Sequence, residues 1–256
     1  SLADTKEWLE ASAQFGPLVK PIITPRFVPS CTSELMSGLG NLAEAYNVPV
    51  QSHLSENHGE IDWVAALHPE AANYTDVYYE HHLMGKVPTV MAHCIHLSDV
   101  EMDLMAETQT MVSHCPYSNV NLSSGIAPIR KLFERKIPIG LGSDISGGHI
   151  VSMAKVLTEA IGLSKMKWVE VDQTYAPLTL SEAFYMATKG GGKFFGKVGS
   201  FEKGCELDAL VIDDTTLFDP NERSLEERLE RWLYVGDDRH IVERYVAGKV
   251  APEPTN

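Results

Sequence analysis

The chain has 256 residues, 44% of them hydrophobic and 22% charged, with a formal net charge of −14. That length holds one large domain, or one domain with a small appendage. No apolar run approaches the roughly 18 residues of a membrane span. A surface this acidic repels nucleic-acid backbones and argues against duplex binding, but says little about a small neutral substrate. No signal-peptide pattern opens the chain. Cys31, Cys94, Cys115 and Cys205 are scattered, without a CxxC pair, which fits reduced thiols. The expectation is a cytoplasmic protein with no nucleic-acid and no membrane partner.

Strands and helices alternate along the chain. Residues 1–16 read as an amphipathic helix, so the chain is expected to begin inside a structure. Residues 19–27 (VKPIITPRF) read as a strand, and 33–47 as a helix with apolar residues at helical spacing. A strand at 48–56 follows, then helical stretches to about Met84. Three more strand–helix steps come next: 89–96 then 99–108, 111–119 then 127–136, and 137–144 then about 150–166. Each strand is a near-continuous apolar run, as in a parallel sheet buried on both faces. Five consecutive steps indicate a parallel α/β fold.

Beyond this the pattern changes. Residues 179–196 read as a helix broken by glycines, 204–214 as an antiparallel-type strand, 227–235 as helical or extended, and 240–249 as a final strand. The expected organisation is a partial (β/α) barrel over 1–196 and a segment of a small β subdomain over 197–256. A complete (β/α)8 TIM barrel takes roughly 250 residues. Five barrel strands plus an appendage therefore leave three strands expected before Ser1, in a longer protein.

The polar residues that end these strands are the candidate chemistry, because parallel barrels keep their active sites at the C-terminal strand ends. His53 ends a strand in VPVQSHLSEN, with Glu56 three residues on. A strand-end imidazole suits a metal, and the acid beside it suits a proton carrier. The alternative is a hydrogen-bonded barrel histidine with a helix-capping glutamate. In AHCIH, His93 lies nearer the strand end than His96, which begins the loop and is read as capping the next helix or standing in solvent. His114 in SHCPYSN is read as structural, with Ser118 and Asn119 as loop-holding side chains. Asp144 in GLGSDISGG follows a strand and precedes Gly147 and Gly148, which permit a tight turn. It can bind a divalent metal and accept a proton, or else cap a helix. Arg26 and Phe27 in TPRF offer a planar fork of donors and a stacking face for a flat ring, or else an arginine paired with a barrel acid and a core phenylalanine. Neither GxGxxG nor GxxxxGK[ST] is present, and neither is HxE with PCxxC.

The order TPRF, QSHLSEN, VMAHCIHLSD, SHCPYSNVNLSSG, GLGSDISGG resembles the amidohydrolase superfamily in its purine and triazine deaminase branch. LYVGDDRHI and the YVAGK strand extend the resemblance to the metal-dependent guanine deaminase family over nearly the whole chain. The resemblance implies hydrolysis of guanine to xanthine and ammonia, one zinc ion per site, a small-molecule purine substrate and a homodimer. It makes His53 a metal ligand, Asp144 a metal ligand and base, and Glu56 the acid that carries a proton to the ring. His93 becomes a metal ligand or a group that orients water or substrate. Arg26 and Phe27 become guanine contacts. The family's HxH pair is absent here, so two further histidine ligands are expected upstream of this chain. The competing readings are a related hydrolase for a triazine, adenosine-type or hydantoin-type substrate, and an inactive fragment.

Overall fold

The computed structural model describes residues 1–252. The last four residues of the expected 197–256 appendage lie outside the described residues. The chain divides into two compact units. The first comprises residues 1–114 and 123–139, the second residues 115–122 and 140 onward.

The first unit opens with helix α1 (Leu2–Ser12) and α2 (Ser33–Tyr46). Strand β1 (Val50–Leu54) leads to α3 (His58–Leu67) and α4 (Tyr74–Glu80). Strand β2 (Thr89–His93), α5 (Asp99–Glu107) and β3 (Met111–His114) follow. The chain then enters the second unit for α6 (Pro116–Asn121) and returns with α7 (Ile129–Glu134). Strand β4 (Ile139–Leu141) begins on the last residue of this unit, and the sheet order is β1-β2-β3-β4. Neighbours β1 and β2 run parallel, with Val50 opposite Thr89 and Leu54 opposite His93. Strands β2 and β3 are also parallel. The register brings the ends of β1 and β2 level, which is what places His53 and His93 side by side.

Local sequence explains these helix starts. Thr32, Asn57, Asn73 and Ser98 each accept a backbone N–H from the first turn of α2, α3, α4 and α5. Ser98 and Glu101 close a reciprocal capping box, which satisfies two otherwise orphaned donors. Helix α2 ends on Asn47 in the left-handed region, at φ 48°. The core of the unit is built from Met36, Leu54, Tyr78, Met91, Met102, Met105 and Leu132, all fully buried.

Two expected strands are corrected. Residues 19–27 form no regular strand. Only Ile23 bridges to Val50, its N–H donating to the Pro49 carbonyl while the Gln51 N–H donates to its own. Pro21 and Pro25 lack the N–H that further rungs need. The expected strand 111–119 stops at His114, because Pro116 opens α6, where its missing N–H costs nothing.

The second unit adds α8 (Met153–Glu170) and α9 (Leu180–Tyr185), the latter running into a single π-helical turn over Met186–Gly190. Strand β5 (Ala209–Ile212), α10 (Leu225–Val235), β6 (Ile241–Val246) and β7 (Lys249–Val250) complete it. The last three strands form an antiparallel sheet in the order β5-β6-β7. Lys155 of α8 donates to the Tyr234 carbonyl of α10 at 2.8 Å. Arg228 grips Asp214 through two hydrogen bonds of 2.8 and 2.7 Å. This unit leaves Phe201, Phe218 and Leu225 about four-fifths exposed. Among the described residues no helix is long and apolar enough to cross a membrane.

Candidate active site

In the first unit, β1 and β2 deliver His53 and His93 with their rings stacked, centroids 5.3 Å apart. The His53 Nδ1 lies 2.6 Å from the Arg26 carbonyl oxygen. A carbonyl only accepts, so Nδ1 carries the proton and Nε2 presents its lone pair. That is the tautomer a metal-ligating histidine needs. The strand backbone is itself held: the Tyr78 hydroxyl donates to the His53 carbonyl at 2.8 Å and meets Ser52 Oγ at 2.7 Å. Burial pushes the Tyr78 phenol well above its ordinary pKa, so it stays a neutral donor.

Glu56 sits in the turn after β1, with one oxygen 3.7 Å from His93 Nε2. Its other oxygen accepts from Ser124 Oγ at 2.8 Å. The Glu56 N–H donates to Glu60, whose second oxygen accepts from the Tyr74 hydroxyl at 2.7 Å. Helix α3 is capped by Asn57, so Glu56 is free of the helix-capping duty that was its alternative. The turns are tight: Ser55, His93 and Cys94 have φ of 49°, 70° and 51°. These left-handed values bend the chain away as each side chain leaves its strand.

His114, at the end of β3, is fully buried. Burial and the neighbouring His93 lower its pKa to about 3, so it is neutral at physiological pH. The reading of His114 as structural had no way to see this neighbour. His96 neither caps α5, which Ser98 does, nor stands free in solvent. Its Nε2 donates to the Ser124 carbonyl at 2.8 Å and its ring lies against His58, tilted by 37° with centroids 4.0 Å apart. Arg26 places its guanidinium 5.4 Å over the Phe27 ring, and Phe27 meets Trp63 edge-on. Phe27 therefore lies at an aromatic surface, not in the core.

In the second unit, Asp144 follows β4 with φ 44°. Its carbonyl accepts the Gly148 N–H at 2.6 Å, closing a tight turn. A Cβ on Gly147 would come within 2.7 Å of the Asp144 carboxylate and 2.6 Å of Ser118 Oγ, so any larger residue would displace those two side chains. Ser152, not Asp144, occupies the cap position of α8, which removes the N-cap alternative. Ser118 and Asn119 are buried in α6, not in a loop.

The first unit thus gathers His53, Glu56 and His93, and its sequence-invisible members are Ser124, Glu60 and Tyr78. Among the described residues, no group of three or more His, Cys, Asp or Glu side chains could by itself hold a metal ion. The fixed His53 tautomer is nonetheless that of a metal donor.

Residues 4–251 match the amidohydrolase family. The chain is 43% identical to a guanine deaminase of Dictyostelium discoideum over 97% of its own length and 56% of that protein. It is 40% identical to a guanine deaminase of Mus musculus, covering 97% of this chain and 57% of that one. A crystal structure of guanine deaminase from C. acetobutylicum, with guanine bound in its active site, superposes with a TM-score of 0.94 at 53% identity. It covers 97% of this chain and 59% of that one. The chain spans a little over half the length of the relatives it matches. It is a member of the amidohydrolase family.

Proposed function

We propose that the protein hydrolyses guanine to xanthine and ammonia. The observation that carries this is 53% identity and a TM-score of 0.94 to a guanine deaminase with guanine in its active site. The arrangement of His53, Glu56 and His93 supports it chemically. We further propose the finer features that accompany this reading: a (β/α)8 barrel to which residues 1–196 contribute, a small β subdomain to which 197–256 contribute, and a cytoplasmic homodimer. His53 and Asp144 would hold one zinc ion, with two further histidines as the remaining ligands. When bound, such an ion lowers the pKa of a coordinated water toward about 7.

The chain's own residues have separable tasks. Arg26 and Phe27 bind the purine, the guanidinium by hydrogen bonds and the ring by stacking. The Asp144 carboxylate takes a proton from the attacking water. As the water oxygen bonds to C2 of guanine, electron density moves into the ring, and the Glu56 carboxyl delivers a proton to a ring nitrogen. His93 orients the new oxygen. Asp144 then returns its proton to the amine, which leaves as ammonia. As the C2 hydroxyl closes to the carbonyl, its remaining proton passes to the Glu56 carboxylate, so one water proton ends on ammonia and the other replaces the proton given to the ring nitrogen.

The test is incubation of the natural full-length protein with guanine, following xanthine and ammonia together. Stoichiometric release of both is expected. Turnover of a triazine or adenosine-type substrate with guanine untouched would overturn the assignment.

A further inference from the structure

Glu56 has two oxygens, and the structure treats them differently. Oε1 accepts from Ser124 Oγ at 2.8 Å, while Oε2 faces His93 Nε2 at 3.7 Å. Ser124 is buried and comes from a loop 68 residues further along the chain. That loop is shaped around it. Ser123 and Gly125 flank it in left-handed conformations, at φ 57° and 129°. A Cβ on Gly125 would crowd Ile95 at 3.1 Å and the His96 ring at 3.3 Å. The His96 Nε2–H holds the Ser124 carbonyl at 2.8 Å. Backbone and side chain of one serine are thus both fixed, with its hydroxyl aimed at the carboxyl.

We propose that Ser124 is a positioning residue for Glu56, which reserves Oε1 as an acceptor and leaves Oε2 as the oxygen that carries the proton. The inference rests on the reading of Glu56 as proton carrier. A hydroxyl that donates to Oε1 does so whether the carboxyl is ionised or neutral, since a carbonyl oxygen accepts as well as a carboxylate. The mobile proton therefore resides on the other oxygen. Ser124 also stops the carboxyl from rotating, which keeps that oxygen at one place for a transfer that tolerates little misplacement. Serine suits the task because its hydroxyl brings a donor with no charge, so the carboxyl remains able to take up and release a proton.

The experiment uses the natural full-length protein, with kinetics on whichever aminohydrolase substrate the wild type turns over. Ser124→Ala should lower kcat roughly 10- to 100-fold, the range expected for losing a hydrogen bond to a charged group. KM and the melting temperature should change little. Ser124→Thr, which keeps the hydroxyl, should recover most of the loss. In a Glu56→Gln background, Ser124→Ala should cost nothing more, because the two act as a unit. A kcat within twofold of wild type in Ser124→Ala would overturn the proposal. So would an additive effect in the double variant, or an equal loss of melting temperature and activity in Ala and Thr variants. Failure of the wild type on guanine while it turns over another substrate would reject the guanine reading and leave these comparisons intact.

Discussion

At the scale of single residues, Glu56 is the most sensitive position. Glu56→Gln keeps the shape and removes the exchangeable proton, so kcat should fall by roughly 10²–10⁴ while metal content, measured by elemental analysis, stays at the wild-type level. His114 governs acid stability. Its pKa is about 3 in the fold against an ordinary 6.5, so the unfolded chain binds a proton that the folded one refuses. The native state therefore carries no penalty above about pH 6.5 and loses up to about 1.4 kcal/mol per pH unit as pH falls toward 3. Urea unfolding across pH 6.5 to 4 should show this slope, and His114→Gln should flatten it. Ser55 has φ 49° and a buried hydroxyl without a hydrogen-bond partner among the described residues. Ser55→Gly relieves both, and urea unfolding should show a gain of about 1 kcal/mol. His53, His93 and Asp144 stood out as candidates because each lies where an apolar run gives out, and Glu56 because it follows three residues after His53. Ser124, Glu60 and Tyr78 did not, because their contacts bring distant turns together and leave no periodic trace.

At the scale of elements, helices were read more faithfully than strands. The caps of α2, α3, α4 and α5 are local chemistry, a short polar side chain ahead of a periodic run. The two strand errors share a cause. Pro21, Pro25 and Pro116 sit in apolar stretches whose hydropathy resembles a strand, but whose missing N–H groups dictate otherwise. Packing between elements was invisible altogether. Gly40 of α2 lies against the carbonyl of His81, and a Cβ there would collide with that backbone oxygen. Gly40→Ala should therefore destabilise by roughly 1–3 kcal/mol despite its better helix propensity, which a thermal melt would register as a lower Tm.

At the scale of the whole molecule, the alternation of strands and helices was enough to anticipate an α/β protein with a parallel sheet. It could not indicate that residues 115–122 group with the second unit, since that grouping depends on long-range contacts. If a metal is held as proposed, its binding free energy adds to that of folding. Removing it with a chelator should lower Tm and abolish guanine turnover together, and added zinc should restore both. Phe201, Phe218 and Leu225, largely exposed on the second unit, bear on how the protein behaves in a flask. At neutral pH a charge of −14 opposes non-specific association. Near the isoelectric point of about 5.1 that repulsion vanishes, in the same range where protonation of the unfolded chain favours opening. Mild acid should thus remove colloidal protection and conformational protection at once, and purification steps that pass through pH 5 should lose protein to precipitate.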